Sequence, residues 1–209
     1  MTAIHTAQGQ LFGTEELLPP GLDYAPDFIG KAEEAALLQL AAGLPLREAR
    51  YKEYTARRRV FVFGSRFDFD EYKLRPIGIG ELPESLLHLR QRLAQWAGVA
   101  ADDFVHVMIS EYTAGTPLGW HRDAPGYELI VGLSVGSPAR LRFRRWQPEA
   151  ARQAEVVALD LAPRSAYLMR GEARWGWQHS VSAVPGLRYS VTMRTARPGH
   201  RPEVAVAAQ

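Results

Sequence analysis

From Phe104 onward the chain breaks into eight short segments, 104–112, 118–123, 128–134, 139–146, 154–160, 165–170, 177–184 and 187–195, set off from one another by Gly, Pro or Ser. Strands that recur about every ten residues predict an antiparallel barrel or jelly roll. Side chains alternate across a strand, so each segment also says which residues share a face. In 187–195, Arg188, Ser190, Thr192 and Arg194 take one face while Tyr189, Val191 and Met193 take the other. In 104–112, Ser110 and Tyr112 oppose Val105, Val107 and Ile109, and in 118–123 His121 and Asp123 fall on the same side.

Polar faces turned into a barrel are what a buried site requires. His121 and Asp123, two residues apart, place an imidazole nitrogen beside a carboxylate oxygen. A second histidine from another strand, His179, completes a two-histidine, one-carboxylate set, which holds Fe(II) at three positions and leaves three open for small ligands. Taken alone, the His-x-Asp pair is weak and reads more readily as a solvated loop with a turn-forming aspartate ahead of Pro125. Two arginines buried on 187–195 would cost several kcal/mol or more without an anion. A dicarboxylate answers that need, because guanidinium forks match carboxylates in bidentate geometry.

The 209 residues, 46% of them hydrophobic, suit one well-buried domain with short extensions: an arm over 1–19, a domain over 20–197 and a tail over 198–209. There is no cysteine, so any metal must be held by histidine and carboxylate. No apolar run approaches the roughly 20 residues of a membrane span, and no charged-then-apolar leader opens the chain, so a soluble cytoplasmic protein is expected. The net charge of +2 is mild, but residues 47–75 concentrate Arg47, Arg50, Lys52, Arg57, Arg58, Arg59, Arg66, Lys73 and Arg75, a candidate phosphate-facing surface.

Two helices are expected, Lys31 to Ala42 and Leu86 to Trp96, the second closing at Gly98. Between them, Arg57 to Tyr72 interleaves Val60, Phe61, Val62, Phe63, Phe67, Phe69 and Tyr72 with charges, and Gly64 is expected to break the stretch into two strands or a hairpin-like flap. His5, His88 and His200 read as surface residues, and His106 as a hydrogen-bonded core histidine. Trp120 and Trp177 read as packing around the ligands. Glu172 and Arg174 read either as a turn-side ion pair or as a substrate-rim contact.

In order, Tyr112, His121-x-Asp123, His179 and Arg188-x-Ser190-x-Thr192-x-Arg194, with Pro20-Gly21-Leu22 and Asp27-Phe28-Ile29 near the start, strongly resemble the AlkB family of Fe(II)- and 2-oxoglutarate-dependent dioxygenases. The resemblance runs from about residue 20 to 195. It implies a mainly β fold with flanking helices: a double-stranded β-helix (jelly-roll) core over about 104–195, an N-terminal helical support and a nucleotide-recognition lid over about 47–75. His121, Asp123 and His179 would ligate Fe(II), the catalytic metal, with 2-oxoglutarate and O2 as cosubstrates. Arg188, helped by Tyr112, would pair with the distal carboxylate of 2-oxoglutarate; Arg194 would lie near the proximal carboxylate and Asp123.

Oxidative decarboxylation then yields succinate and CO2 together with hydroxylation of an alkyl carbon on a nucleobase, which leaves as an aldehyde. In the lid, Phe67, then Phe63 or Phe69, would stack on a flipped base, and Arg59 and Arg66 would lie near the backbone or the base.

Three positions depart from the family pattern. Ser190 and Ser110 stand where asparagine is usual, and serine can still donate to a carboxylate. Pro125 stands where the best-known members carry an acidic residue that reads a methylated base, which shifts the expectation from 1-methyladenine toward bulkier or exocyclic adducts such as etheno bases. The partner expected is alkylated DNA, with RNA, including transfer RNA, as the alternative. A protein or small-molecule hydroxylase and a binding module without turnover are the readings from other classes. A monomer is expected.

Overall fold

The computed structural model describes residues 18–51, 54–77, 81–146 and 155–201. The arm through residue 17, with His5, the tail from residue 202 and Lys52 lie outside the described residues. The strands are β1 (Leu22–Ala25), β2 (Arg47–Tyr51), β3 (Tyr54–Asp68), β4 (Lys73–Pro76), β5 (Phe104–Tyr112), β6 (Leu118–His121), β7 (Tyr127–Gly136), β8 (Ala139–Arg145), β9 (Val156–Leu161), β10 (Ala166–Met169), β11 (Trp177–Val181) and β12 (Arg188–Ala196). The helices are α1 (Lys31–Gly43), α2 (Glu84–Ala97) and the short α3 (Gly171–Trp175).

All pairings are antiparallel and form two facing sheets, the jelly roll expected. The larger runs β1-β10-β7-β12-β5-β3-β2, with β4 paired to β3, and the smaller runs β6-β11-β8-β9. The larger sheet is covered on both faces. Outside it lie α1 and α2; Leu86, Leu89, Leu93 and Ala97, spaced by three and four residues, form one buried stripe of α2. That stripe packs with Leu37 and Ala41 of α1 against Val107, Ile109, Val131, Leu133, Val191 and Met193. The inner face meets the smaller sheet over a second core that includes Tyr112, Ile130, Phe143, Tyr167 and Met169. Within that interior Tyr167 lies across Gly132, where a Cβ would come within 2.3 Å of its ring. Arg164 ties α1 to the sheet through Asp27 at 2.9 Å and Glu34 at 3.3 Å.

Gly64 does not break the aromatic stretch. β3 runs unbroken through it, and the hairpin is instead formed with β4, Arg66 facing Arg75 and Phe67 facing Leu74 in the register. At φ +84 Gly64 adopts a backbone that side chains disfavour, and a Cβ there would stand 2.5 Å from the Val105 carbonyl oxygen on β5. The glycine lets a long strand lie close on its neighbour. Two other strands are shorter than expected: β6 stops at His121, leaving Asp123 in the following loop, and β11 stops at Val181.

Gly64→Ala is expected to destabilise the protein by about 1–3 kcal/mol, the strain of a side chain at positive φ, with the contact to Val105 added. The midpoint of urea unfolding measures it; an unchanged midpoint would mean that β3 can shift on β5 without cost.

Candidate active site

The alternation on β12 carries the site. Across the larger sheet, Arg188 pairs in register with Tyr112, Ser190 with Ser110, Thr192 with Met108 and Arg194 with His106. Ser190 also faces Ser134 of β7, so three hydroxyls cross the sheet in a row. All the β12 members of this face are buried, Arg188 to 1% exposure and Arg194 to 6%.

Opposite them, His121 of β6 and His179 of β11 are register partners, with ring centroids 4.2 Å apart. Asp123 reaches the same place from the loop after β6. One ligand atom from each of His121, Asp123 and His179 lies within 4.8 Å of the others. His121 Nδ1 lies 2.9 Å from the Gly119 carbonyl, which fixes Nδ1–H as donor and leaves Nε2 for a metal.

The electrostatics suit metal binding. Burial, with His121 beside it, pushes His179 down to about 3. Its Nε2, 3.5 Å from Asp123 Oδ2, is therefore a neutral ring nitrogen at neutral pH, and the two groups meet as would-be ligands rather than as an ion pair. Burial likewise lowers His121, and the charge of Arg58 adds to that. Burial alone would push the Asp123 carboxyl up, but Arg194, the two histidines and Arg174 hold it well below the usual carboxylate range.

Arg194 meets Asp123 Oδ1 through Nε at 2.8 Å and Nη2 at 2.7 Å, and donates from Nη1 to Thr192 at 3.0 Å. Asp123 Oδ2 is buried without a hydrogen bond, and so is Nη1 of Arg188. Two orphaned polar atoms of opposite charge, each facing the same interior, fit a cation at Oδ2 and an anion at Arg188. Arg188 is otherwise held by Ser134, which accepts from Nε at 2.9 Å, and by the Tyr112 ring 5.0 Å from its guanidinium carbon.

The structure thus brings together His121, Asp123, His179, Tyr112, Arg188, Ser190, Ser110 and Arg194. It separates two lid residues from them. Arg59 and Phe63 lie on the helix side of the larger sheet: Arg59 is paired with Glu111 at 2.7 and 2.9 Å, and Phe63 is in the core beneath α2. The reason is the parity of β3, which turns Val60 toward Ser110 and Val62 toward Met108 on the interior face. Arg58 shares that parity, and its Nε is buried without a partner. Phe67 is 8% exposed and fills the hairpin against Leu74 and Tyr127, with Phe69 at 5.0 Å and Tyr72 at 5.3 Å edge-on. The open rings of the hairpin are Phe69 and Tyr72, 54% and 57% exposed, and Arg66 is exposed beside them.

Three residues around the site, Arg174, Tyr127 and Arg58, were not singled out in these roles by the sequence. Arg174, 3% exposed, donates from Nη2 to the carbonyls of Ala124 at 2.8 Å, Tyr127 at 2.9 Å and Asp123 at 3.3 Å, so it clamps the loop that carries the third ligand. Tyr127 donates toward or accepts from His106 at 3.1 Å, and His106 reaches the Ser65 carbonyl of β3. An arginine on a five-residue helix has no periodic signal. Arg58 alone had one, in its parity with Val60 and Val62.

Two histidines, a carboxylate and two inward arginines within a jelly roll define an Fe(II)- and 2-oxoglutarate-dependent dioxygenase. Residues 21–197 match the model of the 2OG-Fe(II) oxygenase superfamily, and the chain belongs to that superfamily as an AlkB-like member. It is 30% identical over 188 residues to the Alkylated DNA repair protein ALKBH8 homolog of Arabidopsis thaliana, covering 79% of this chain and 52% of that protein. To the Probable RNA/DNA demethylase ALKBH6 of Danio rerio it is 26% identical, covering 79% and 71%. To the mouse tRNA (carboxymethyluridine(34)-5-O)-methyltransferase ALKBH8 it is 28% identical, covering 86% and 26%. The chain therefore spans about half of the Arabidopsis relative and about a quarter of the mouse one. The solved structure of OsALKBH1 shares the fold, with a TM-score of 0.66 at 15% identity over 86% of this chain and 99% of that one. The superfamily uses Fe(II), 2-oxoglutarate and O2.

Arg188→Met separates binding from folding. Removing a buried charge that lacks a full set of partners leaves the stability of the ligand-free protein equal or higher, while the concentration of 2-oxoglutarate needed for half-maximal turnover rises by about tenfold or more, the scale of a lost charge-assisted pair. Thermal melting and a titration of 2-oxoglutarate measure the two effects, and an unchanged requirement would remove Arg188 from the cosubstrate site.

His106 gives a pH dependence of stability. Burial, with Arg194 nearby, lowers it from 6.5 to about 3. The unfolded chain binds its proton first, so its contribution is fully present above about pH 6.5 and is lost as pH falls toward 3. In metal-free protein the urea midpoint should fall between pH 7.5 and pH 4.5, and His106→Gln should flatten that fall; identical slopes would contradict it.

Proposed function

We propose that this chain oxidises an alkyl carbon carried on a nucleobase of nucleic acid, restoring the base and releasing the carbon as an aldehyde. Bound Fe(II) and 2-oxoglutarate supply the oxidising step, in which O2 gives one atom to succinate and one to the substrate carbon while CO2 leaves. His121, Asp123 and His179 are the residues that hold the metal. Arg188 grips the distal carboxylate, with Ser134 and the Tyr112 ring fixing its fork. Arg194 keeps Asp123 ionised and aligned. Tyr167, lying across Gly132, and the apolar second core exclude water from the interior.

The observation that carries the substrate class is the β3–β4 hairpin. Phe67 seats it on Tyr127 and against Gly126, where a Cβ would come within 2.5 Å of the ring, so the hairpin rests on the loop that follows Asp123. From that seat it presents the exposed rings of Phe69 and Tyr72 and the exposed Arg66, an aromatic face for a flipped base and a cation for its phosphate. Stacking is worth about 1–3 kcal/mol per base, comparable with the few kcal/mol of unstacking. The names of the relatives divide between DNA and RNA, and alkylated DNA, the substrate implied by the AlkB resemblance, is tested beside RNA. Pro125, following the metal-side carboxylate, favours adducts that need no acidic partner, etheno bases among them.

The test is succinate release by the Fe(II)-loaded protein in air, against oligonucleotides carrying 1-methyladenine, 3-methylcytosine or ethenoadenine in DNA and in RNA, with His121→Ala as the control. One modification is expected to raise succinate above the uncoupled background and to be restored to the plain base, with no turnover in the control. Background turnover across the whole panel would leave the dioxygenase in place and transfer the substrate to a protein or small molecule.

A further inference from the structure

We propose that Arg58 reads the target base, and that it selects a neutral base whose carbonyl oxygens flank the alkyl group, a 3-alkyluracil or 3-alkylthymine, over the cations 1-methyladenine and 3-methylcytosine. The inference rests on the nucleobase reading above and names the class of base within it.

Arg58 lies on β3, which pairs with β5 so that Val60 faces Ser110 and Val62 faces Met108. Partners across an antiparallel pair share a face, and the face of Ser110 is the one that carries Ser190 and, along β12, Arg188 and Arg194. Two residues before Val60, Arg58 falls on that interior face. Its neighbour Arg59 falls on the other and is spent on Glu111, at 2.7 and 2.9 Å. Arg58 is not spent. Its Nε is buried without a hydrogen bond, and among the described residues its guanidinium forms no ion pair and lies over no aromatic ring. A buried donor left unpaired on the face of a ligand site is answered when the ligand brings an acceptor.

The charge of Arg58 also reaches the metal side. Burial lowers His121 first; of the charged groups that act on it, Arg58 and Arg194 lower it further and Asp123 opposes them. The one carboxylate of the three is already committed, since Arg194 meets Asp123 Oδ1 at 2.8 and 2.7 Å and Oδ2 is left for a cation. Pro125 in the same loop adds no second carboxylate. The reacting carbon has to approach a metal held by His121, so the base that carries it comes within the field of an unanswered guanidinium.

Base chemistry then decides which bases fit. 1-Methyladenine and 3-methylcytosine are cations at neutral pH, because the methyl group occupies a ring-nitrogen lone pair and the exocyclic nitrogen keeps its protons. With no free carboxylate to offset Arg58, such a ring is repelled. 3-Methyluracil has nearly the same outline without the charge, and a carbonyl oxygen on each side of its methyl group can accept from the guanidinium. Ethenoadenine is neutral as well and meets the charge requirement, but brings no carbonyl. A phosphate answers Arg58 less well: its Nε is buried, whereas the backbone of a flipped nucleotide stays toward solvent, where the exposed Arg66 stands.

The experiment compares the wild-type protein with Arg58→Met and Arg58→Lys, each loaded with Fe(II) and 2-oxoglutarate under nitrogen so that nothing turns over. Fluorescence anisotropy at neutral pH measures Kd for single-stranded oligonucleotides, in RNA and in DNA, that differ only in carrying 3-methyluracil, 3-methylcytosine or plain uracil at one position. The wild type is expected to favour 3-methyluracil over 3-methylcytosine by about tenfold, the scale of one charge-assisted hydrogen bond. Arg58→Met is expected to remove most of that ratio, by binding 3-methyluracil more weakly and 3-methylcytosine more tightly. Arg58→Lys keeps the charge and is expected to keep the direction of the preference.

A wild type that favours 3-methylcytosine, or makes no distinction between the two, overturns the proposal without any variant. A ratio unchanged in Arg58→Met overturns it too, as does a loss of equal size for all three oligonucleotides, which would make Arg58 a phosphate contact. If the protein distinguishes ethenoadenine from adenine but not 3-methyluracil from uracil, only this inference falls. If it distinguishes no modified base from its plain counterpart, the nucleobase reading falls with it.

Discussion

Burying two guanidiniums on one face of β12 takes both out of water at a cost of several kcal/mol per ion, and the interior is arranged around how each is answered. Arg194 is answered inside the protein: Asp123 takes two of its donors and Thr192 a third. Arg188 is answered only in part, by one serine oxygen and one aromatic face, with Nη1 left over. The difference separates a structural arginine from a ligand-seeking one. A dicarboxylate that met Arg188 would bind the folded state alone and so stabilise this fold.

Asp123 is the joint between these parts. It is not in a strand, so its position depends on the loop 122–126, and Arg174 holds that loop from the inside by the carbonyls of Asp123 and Ala124 and its exit by that of Tyr127. From the outside the same loop is pressed by Phe67 at Gly126. The β3–β4 hairpin and Asp123 therefore share one support.

Much of this was legible in the sequence, and the failures have a common cause. Alternation on β12 and β5 named the residues that share a face, and because one face of β12 carries two arginines there was no doubt which one faced the site. The stripe on α2 was equally plain. On β3 alternation was not enough. Both faces of the larger sheet are buried, one under helices and one within the barrel, so Phe61 and Phe63 look like Val60 and Val62. The charge pattern points to Arg59 as a site residue, yet Arg59 pairs with Glu111 on the helix side, while Arg58, one residue away, faces the interior. Gly64 was read as a break because glycine is a weak strand residue, when its positive φ serves close approach to β5. Asp123 reached its place by a loop, which no periodicity describes, yet two residues of chain were short enough to keep it beside His121.

The two sheets also differ in what their outer faces are free to carry. The larger sheet is sealed outside by α1 and α2, and its outward positions are committed to packing. The outer face of the smaller sheet is closed differently: Ser180 is fully buried there, and the guanidiniums of Arg142 and Arg144 lie over Trp120. A solvent-facing strand has no need of stacked arginines for stability, since exposed cation–π contacts are worth only about 0.5–1 kcal/mol. Along β8, Arg140 pairs with Asp160 while Arg142 and Arg144 stack on Trp120 of β6, the strand that carries His121.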